Sequence, residues 1–242
     1  MAEFKLPTET IELPSKGLLY PSDNPLSSGT IEMKYMTAKE EDILTNQSYI
    51  SDGTVFDKLF KSLIVSKINY DDLLIGDKNA ILVAARILGY GKDYKFTIGS
   101  EEFTVDLSKV ENKPLDESLY TKGVNRFSFS LPSTGINIGF KILTHKDEAS
   151  IKNEISGLKK INPTSAPDIT TRLKYTILSI DGDEDRKSVR EFVDNYLLAR
   201  DAKALRNYVR EIQPDVDLTF FPEGSQTRVD IPIGLGFFWP ND

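Results

Sequence analysis

The chain has 242 residues, 39% of them hydrophobic and 28% charged, with 30 Lys and Arg against 37 Asp and Glu for a formal net charge of −7. That composition describes a globular protein with one large core or two small ones, and an acidic balance without a long basic run excludes a protein that lives on nucleic acid or anionic lipid. With no cysteine and a single histidine, His145, the sequence excludes disulfides, thiolate chemistry and any metal site built on two Cys or His ligands.

The first 28 residues carry Pro7, Pro14, Pro21 and Pro25, which remove backbone donors and bias their predecessors away from helix. Phe4, Leu6, Ile11, Leu13, Leu18, Leu19 and Tyr20 lie between them, so the segment is too apolar for a disordered tail. It reads as an extended arm outside the regular elements, lying on a surface of its own protein or of a neighbour. The opening MAEFKLPTET lacks a basic region followed by an apolar run, and no apolar stretch nears the ~20 residues that span a bilayer. A soluble protein made in the cytosol, with no membrane partner, is therefore expected.

Gly29 to Met36 alternates, with Ile31, Met33 and Tyr35 on one face, and predicts a half-buried strand. Thr37 and Glu40 have the spacing of a capping box, opening a helix to about Asn46. A second helix is predicted over Thr54–Val65 from the stripe of Val55, Phe56, Leu59, Phe60, Leu63 and Ile64. A third follows Asp77, buries Ile81, Ala84, Ala85 and Leu88, and stops at Gly89. Tyr94–Ile98 and Phe103–Leu107 flank Gly99-Ser-Glu-Glu102 as a β-hairpin. The polar stretch 108–123, with Pro114, reads as a domain boundary. A second hairpin, Val124–Leu131 and Ile136–Leu143, turns at Pro-Ser-Thr-Gly. Thr144 begins a helix to about Lys160, and three helical stretches follow near 168–179, 185–197 and 201–212. Leu218–Phe221 and Val229–Ile233 close the chain as strands around a turn at Pro222-Glu-Gly224. The expected fold is α+β: helical blocks with antiparallel β-hairpins and an extended N-terminal arm. It divides into the arm (1–28), a helical block with a hairpin (29–107) and a second α+β region (108–242).

No catalytic constellation emerges. Asp181-Gly-Asp183-Glu-Asp185 opens like a calcium loop, but the glycine and bidentate glutamate that such a loop needs are replaced by Arg186 and Phe192, so it reads as a solvated loop with Asp185 at a helix N-terminus. His145 has no partner for nucleophilic chemistry and is expected to be solvated at its helix start. No phosphate-binding glycine loop occurs. The residues thus name no catalytic, cofactor-binding or metal-binding group, and a non-enzymatic protein without a small-molecule substrate is expected.

What remains is apolar surface for partners. Phe237, Phe238 and Trp239 lie at the end of the chain, where residues are ordinarily polar and frayed. Rings of this size need cover, either from the protein's own core or from a partner. The alternation of Ile231 and Ile233 just before them favours the first. Together with Leu13, Pro14, Leu18, Leu19 and Tyr20 of the arm, they are the candidate partner-binding residues.

Four segments in order carry a family resemblance: Leu13-Pro-Ser-Lys-Gly-Leu-Leu-Tyr-Pro21, Met36-Thr-Ala-Lys-Glu-Glu-Asp-Ile-Leu-Thr-Asn46, the stretch Leu73 to Gly91, and Ile231-Pro with Phe237-Phe-Trp-Pro240. They resemble the baseplate hub or hub-assembly proteins of contractile-tailed, T-even-like bacteriophages. The resemblance spans about the first ninety residues and the last thirty, and hardly touches 108–165. It implies a structural or assembly component of the baseplate hub, without known catalysis, whose partners are other phage tail and baseplate proteins. It also implies assembly in the bacterial host cytoplasm and a place in the virion tail baseplate. The alternative is a transient chaperone of tail assembly that is absent from the mature virion. Some family members carry paired cysteines in their hairpins. Here the corresponding turns are Gly99-Ser-Glu-Glu102 and Pro222-Glu-Gly-Ser225, so packing rather than metal is expected to hold them.

Overall fold

In the computed structural model, residues 6–164, 167–222 and 227–238 are described. The chain opens with β1 (Thr8–Glu12), which pairs antiparallel with β2 (Thr30–Lys34) in the register Thr10↔Glu32. The expectation that prolines exclude residues 1–28 from regular structure is corrected here. Pro7 and Pro14 flank a proline-free stretch, and at the ends of a strand they interrupt no interior ladder bond. Between the two strands the chain folds back on itself, burying Leu13, Leu19, Tyr20 and Leu26. The fold-back depends on Gly17 and Gly29, both left-handed at φ 75° and 74°. A side chain on Gly17 would meet the Ser27 carbonyl oxygen at 2.4 Å, and one on Gly29 the Lys16 carbonyl carbon at 2.7 Å.

Three helices follow, α1 (Ala38–Leu44), α2 (Gln47–Ser51) and α3 (Val55–Leu63). At the start of α1, Glu40 turns back to accept from the backbone N–H of Thr37 at 2.9 Å and from its hydroxyl at 2.6 Å, as the capping spacing predicts. The predicted first helix is broken at Thr45, because Asn46 caps a new start by accepting from Tyr49 N at 3.2 Å. Then comes α4 (Ile75–Tyr90), which buries residues around most of its circumference, charged Asp77 and Arg86 included. Its stop is Gly91 at φ 83°, not Gly89. Gly89 is a packing position, where a Cβ would strike the Met36 side chain at 2.9 Å.

Hairpin β3 (Asp93–Ile98) and β4 (Glu101–Asp106) turns through Gly99 and Ser100 alone, since Ile98 pairs directly with Glu101. After it, β5 (Phe127–Ser130) and β6 (Asn137–Phe140) form the second predicted hairpin. Helix α5 (His145–Ile161) is capped by Thr144, and α6 (Asp168–Thr176) passes directly into β7 (Ile177–Ile180). The stretch 168–179 was expected to be helical throughout; its last residues instead join β6 as a third strand, burying Ile177 and Ser179. Helices α7 (Arg186–Asn195) and α8 (Ala199–Ile212) follow, then the short pair β8 (Thr219–Phe220) and β9 (Val229–Asp230). Small antiparallel sheets among helices make this an α+β fold.

Most of the buried apolar residues form one contiguous cluster from Leu13 to Phe238, which crosses both expected domain boundaries. The 108–123 stretch is stitched in on each side: Lys113 N donates to Asp215 O at 2.8 Å, Gly123 N to Leu18 O at 2.7 Å, and the Tyr120 hydroxyl to Ile212 O. The two hairpins expected to rely on packing share an aromatic cluster, with Phe96, Phe103 and Phe220 at mutual centroid distances of 5.6–5.8 Å. Among the described residues, no helix is long and apolar enough to cross a membrane.

Candidate functional site

Helix α4 organises the residues singled out in the sequence. Near its N-terminus Asp77 is fully buried and accepts three hydrogen bonds: from Ser15 N at 2.9 Å, Ser15 Oγ at 2.8 Å and the Tyr20 hydroxyl at 2.6 Å. Burial pushes the Asp77 carboxyl up and these bonds pull it part of the way back, leaving it raised. The Tyr20 oxygen in turn accepts from Leu74 N at 2.9 Å, and burial beside Asp77 raises its pKa, which keeps it a donor. Leu13, Pro14, Leu19 and Tyr20 are buried within their own chain, and Leu18 is half-buried. As a freely presented partner-binding arm these residues are corrected, because their apolar surface is already covered within the chain.

Toward the other end of α4, Arg86 is 1% exposed and forms no ion pair among the described residues. Its guanidinium donates instead to three carbonyls: Phe237 O at 2.8 Å, Gly91 O at 2.9 Å and Asp93 O at 3.3 Å. It also lies over the rings of Tyr90 and Tyr94, at 5.4 and 5.8 Å. Phe237 packs edge-on to Tyr94 at 4.8 Å and Phe238 against Phe56 at 5.7 Å, so both rings are covered by the protein's own core. They arrive through a tight turn over Leu235–Phe237 rather than along a strand, since β9 ends at Asp230. Trp239 lies outside the described residues.

His145, expected to be solvated, is buried at the joint between α3, α4 and α5. Lys78 Nζ lies 2.9 Å from its Nδ1 and donates at 2.9 Å to Asp57, which also accepts from the Tyr70 hydroxyl at 2.9 Å. Burial and then Lys78 hold the His145 pKa below 6.5, against the opposing pull of Asp57 and Asp71. These polar groups satisfy one another and lock α5 onto the first half of the chain. The acidic loop is likewise spent locally: Asp181 accepts from Asn137 N, Asp183 from Asp185 N, and Asp185 caps α7 through Ser188 N at 2.8 Å.

A groove of about 360 Å³ runs beside Ile11 and Glu12 of β1, floored by α4 and walled opposite by residues 107–112. The buried anchors Asp77 and Arg86 and this groove are what sequence reasoning missed. The one available signal was charge within a mostly apolar helix, at Asp77 and Arg86.

Comparison with protein-family models, with curated proteins and with solved structures gives no match for this chain.

Proposed function

We propose that the protein is a structural or assembly component of the baseplate hub of a contractile phage tail, working through protein–protein contacts and not as an enzyme. The observation that carries this reading is the set of four segments resembling the hub and hub-assembly proteins. Three of them are linked on one helix: Leu13–Pro21 is tied to α4 through Asp77, Leu73–Gly91 contains α4, and the closing aromatics reach it through Arg86. Buried polar anchors of this kind fix a rigid scaffold, which suits a protein that must present surfaces to neighbours. Its partners are then other tail and baseplate proteins, and its place the virion baseplate after assembly in the host cytoplasm.

Quantitative mass spectrometry of purified virions from a phage encoding this chain tests the reading. A fixed stoichiometric ratio to other tail proteins is expected. Absence from virions, with presence on tail intermediates in infected cells, would point to the transient chaperone; absence from both would overturn the reading.

A further inference from the structure

Among the described residues, the two-stranded sheet leaves one long edge of β1 unpaired. Tyr35 N donates to Pro7 O at 3.3 Å and Leu13 N to Gly29 O at 2.8 Å, which identifies the odd-numbered residues as those bonded toward β2. The backbone N–H and C=O groups of Thr8, Thr10 and Glu12 accordingly point the other way. At the Glu12 end this edge borders the α4 groove, whose lining includes Ile11 and Glu12 of β1 and no residue of β2. Its floor is Ala80, Val83, Ala84 and Ile87, small or aliphatic side chains at helical spacing. On its rim Glu12 and Glu111 are exposed and form no ion pair among the described residues.

We infer that this groove receives an extended segment of a partner protein, which adds as a strand to β1. It would lay apolar side chains at alternate positions onto α4 and place a basic end against Glu12 and Glu111. Three features select that occupant. An unpaired strand edge is satisfied by an extended backbone and not by a helix. An apolar floor takes every second side chain of such a strand. The acidic rim, on a chain of net charge −7, favours a cationic segment and disfavours nucleic acid. A second copy's β1 fits poorly, because it carries its own α4 on the face that must enter the groove. This rests on the reading of the chain as a protein-binding component.

The test uses the full chain and a fluorescein-labelled heptapeptide, Lys-Val-Thr-Val-Thr-Val-Lys, with a Glu-ended version and a version carrying a central proline as controls. Fluorescence anisotropy should show saturable binding of the Lys-ended peptide, at least tenfold tighter than either control. The exposed pair Glu12→Lys/Glu111→Lys should reverse the order of the Lys-ended and Glu-ended peptides. Thr10→Pro, which removes one outward N–H, should weaken binding at least tenfold while circular dichroism stays unchanged. If Thr10→Pro perturbs the fold, slowed amide exchange at Thr8, Thr10 and Glu12 of the natural chain on peptide addition replaces it. No saturable binding, or binding indifferent to the charge reversal and without edge protection, overturns the inference. Because purified chain is used, that failure is distinct from a negative result on virions.

Discussion

The Nε of Arg86 donates to the backbone carbonyl of Phe237 at 2.8 Å across 151 positions of sequence, so a cation buried on α4 is held by the last turn of the described chain. With no carboxylate partner among the described residues, the guanidinium has exchanged water for peptide carbonyls and two aromatic faces.

Replacing Arg86 by Met keeps the volume but strips the donors from three carbonyls. Only the Phe237 carbonyl is buried, Gly91 and Asp93 being exposed to water, so at ~1–3 kcal/mol for a buried polar group left unsatisfied Arg86→Met should destabilise the protein by about 1–3 kcal/mol. Urea unfolding checks this, and an unchanged midpoint would mean that the carbonyls find water instead. Deleting residues 235–242 should lower the midpoint as well, since Phe237 and Phe238 then leave the core.

The N-terminal segment gives a second test. Tyr20→Phe removes both a donor to Asp77 and an acceptor for Leu74 N, a loss of about 2 kcal/mol. Removal of residues 1–28 takes away Leu13, Leu19, Tyr20 and Leu26 together and should abolish cooperative thermal unfolding. A truncated chain that still melts sharply would show that the core closes without them.

Glycines separate two regimes. A Cβ on Gly76 would lie 1.7 Å from the Pro214 carbonyl oxygen, a backbone atom with little room to yield. Gly76→Ala should therefore prevent α4 from seating on 214–215 and greatly reduce the yield of folded protein. Gly157 sits on the exposed side of α5 with nothing within 4 Å. Gly157→Ala should raise stability by about 0.8–1 kcal/mol through helix propensity. Parallel melting curves decide both.

Acid should act in two windows. His145 has a folded pKa below 6.5, so the unfolded chain binds the extra proton; its contribution is complete above 6.5 and fades as the pH falls below that value. Burial would raise the pKa of Glu40, but bonds from Thr37, Lys34 and Ser62 outweigh it and bring the pKa from 4.5 to about 2. That displacement corresponds to about 3 kcal/mol, present above pH 4.5 and lost as the pH falls toward 2. His145→Gln should flatten the upper window of the stability–pH profile, and Glu40→Gln the lower.

Elements whose evidence was local could be read from the sequence. Thr37 with Glu40, Thr144 at the start of α5, and the alternation on either side of Gly99 each carry their own start, cap or turn within a few residues. The N-terminal segment misled because proline spacing reports on local backbone bonds, whereas the burial of Leu13 and Tyr20 is decided by Asp77, 62 and 57 positions from its Ser15 and Tyr20 partners. The entry of residues 177–180 into a sheet depends in the same way on a vacant edge of β6 that no window around Ile177 contains. As for the candidate site, large apolar residues near the chain ends fit a core and an interface equally well from composition. The open edge of β1 appears only once its pairing with β2 is known.

Asp77 and Arg86 stand nine residues apart on α4, about 13 Å at 1.5 Å per residue. One grips the beginning of the chain and the other its far end. Such a helix works as a latch that closes late. Asp77 and the Nε of Arg86 stay without their buried partners until segments distant in sequence come together, and closing long loops is the slow part of folding. Until then its apolar circumference is open to other chains, so the yield of native protein should fall with concentration during refolding more steeply than the folded protein's stability suggests.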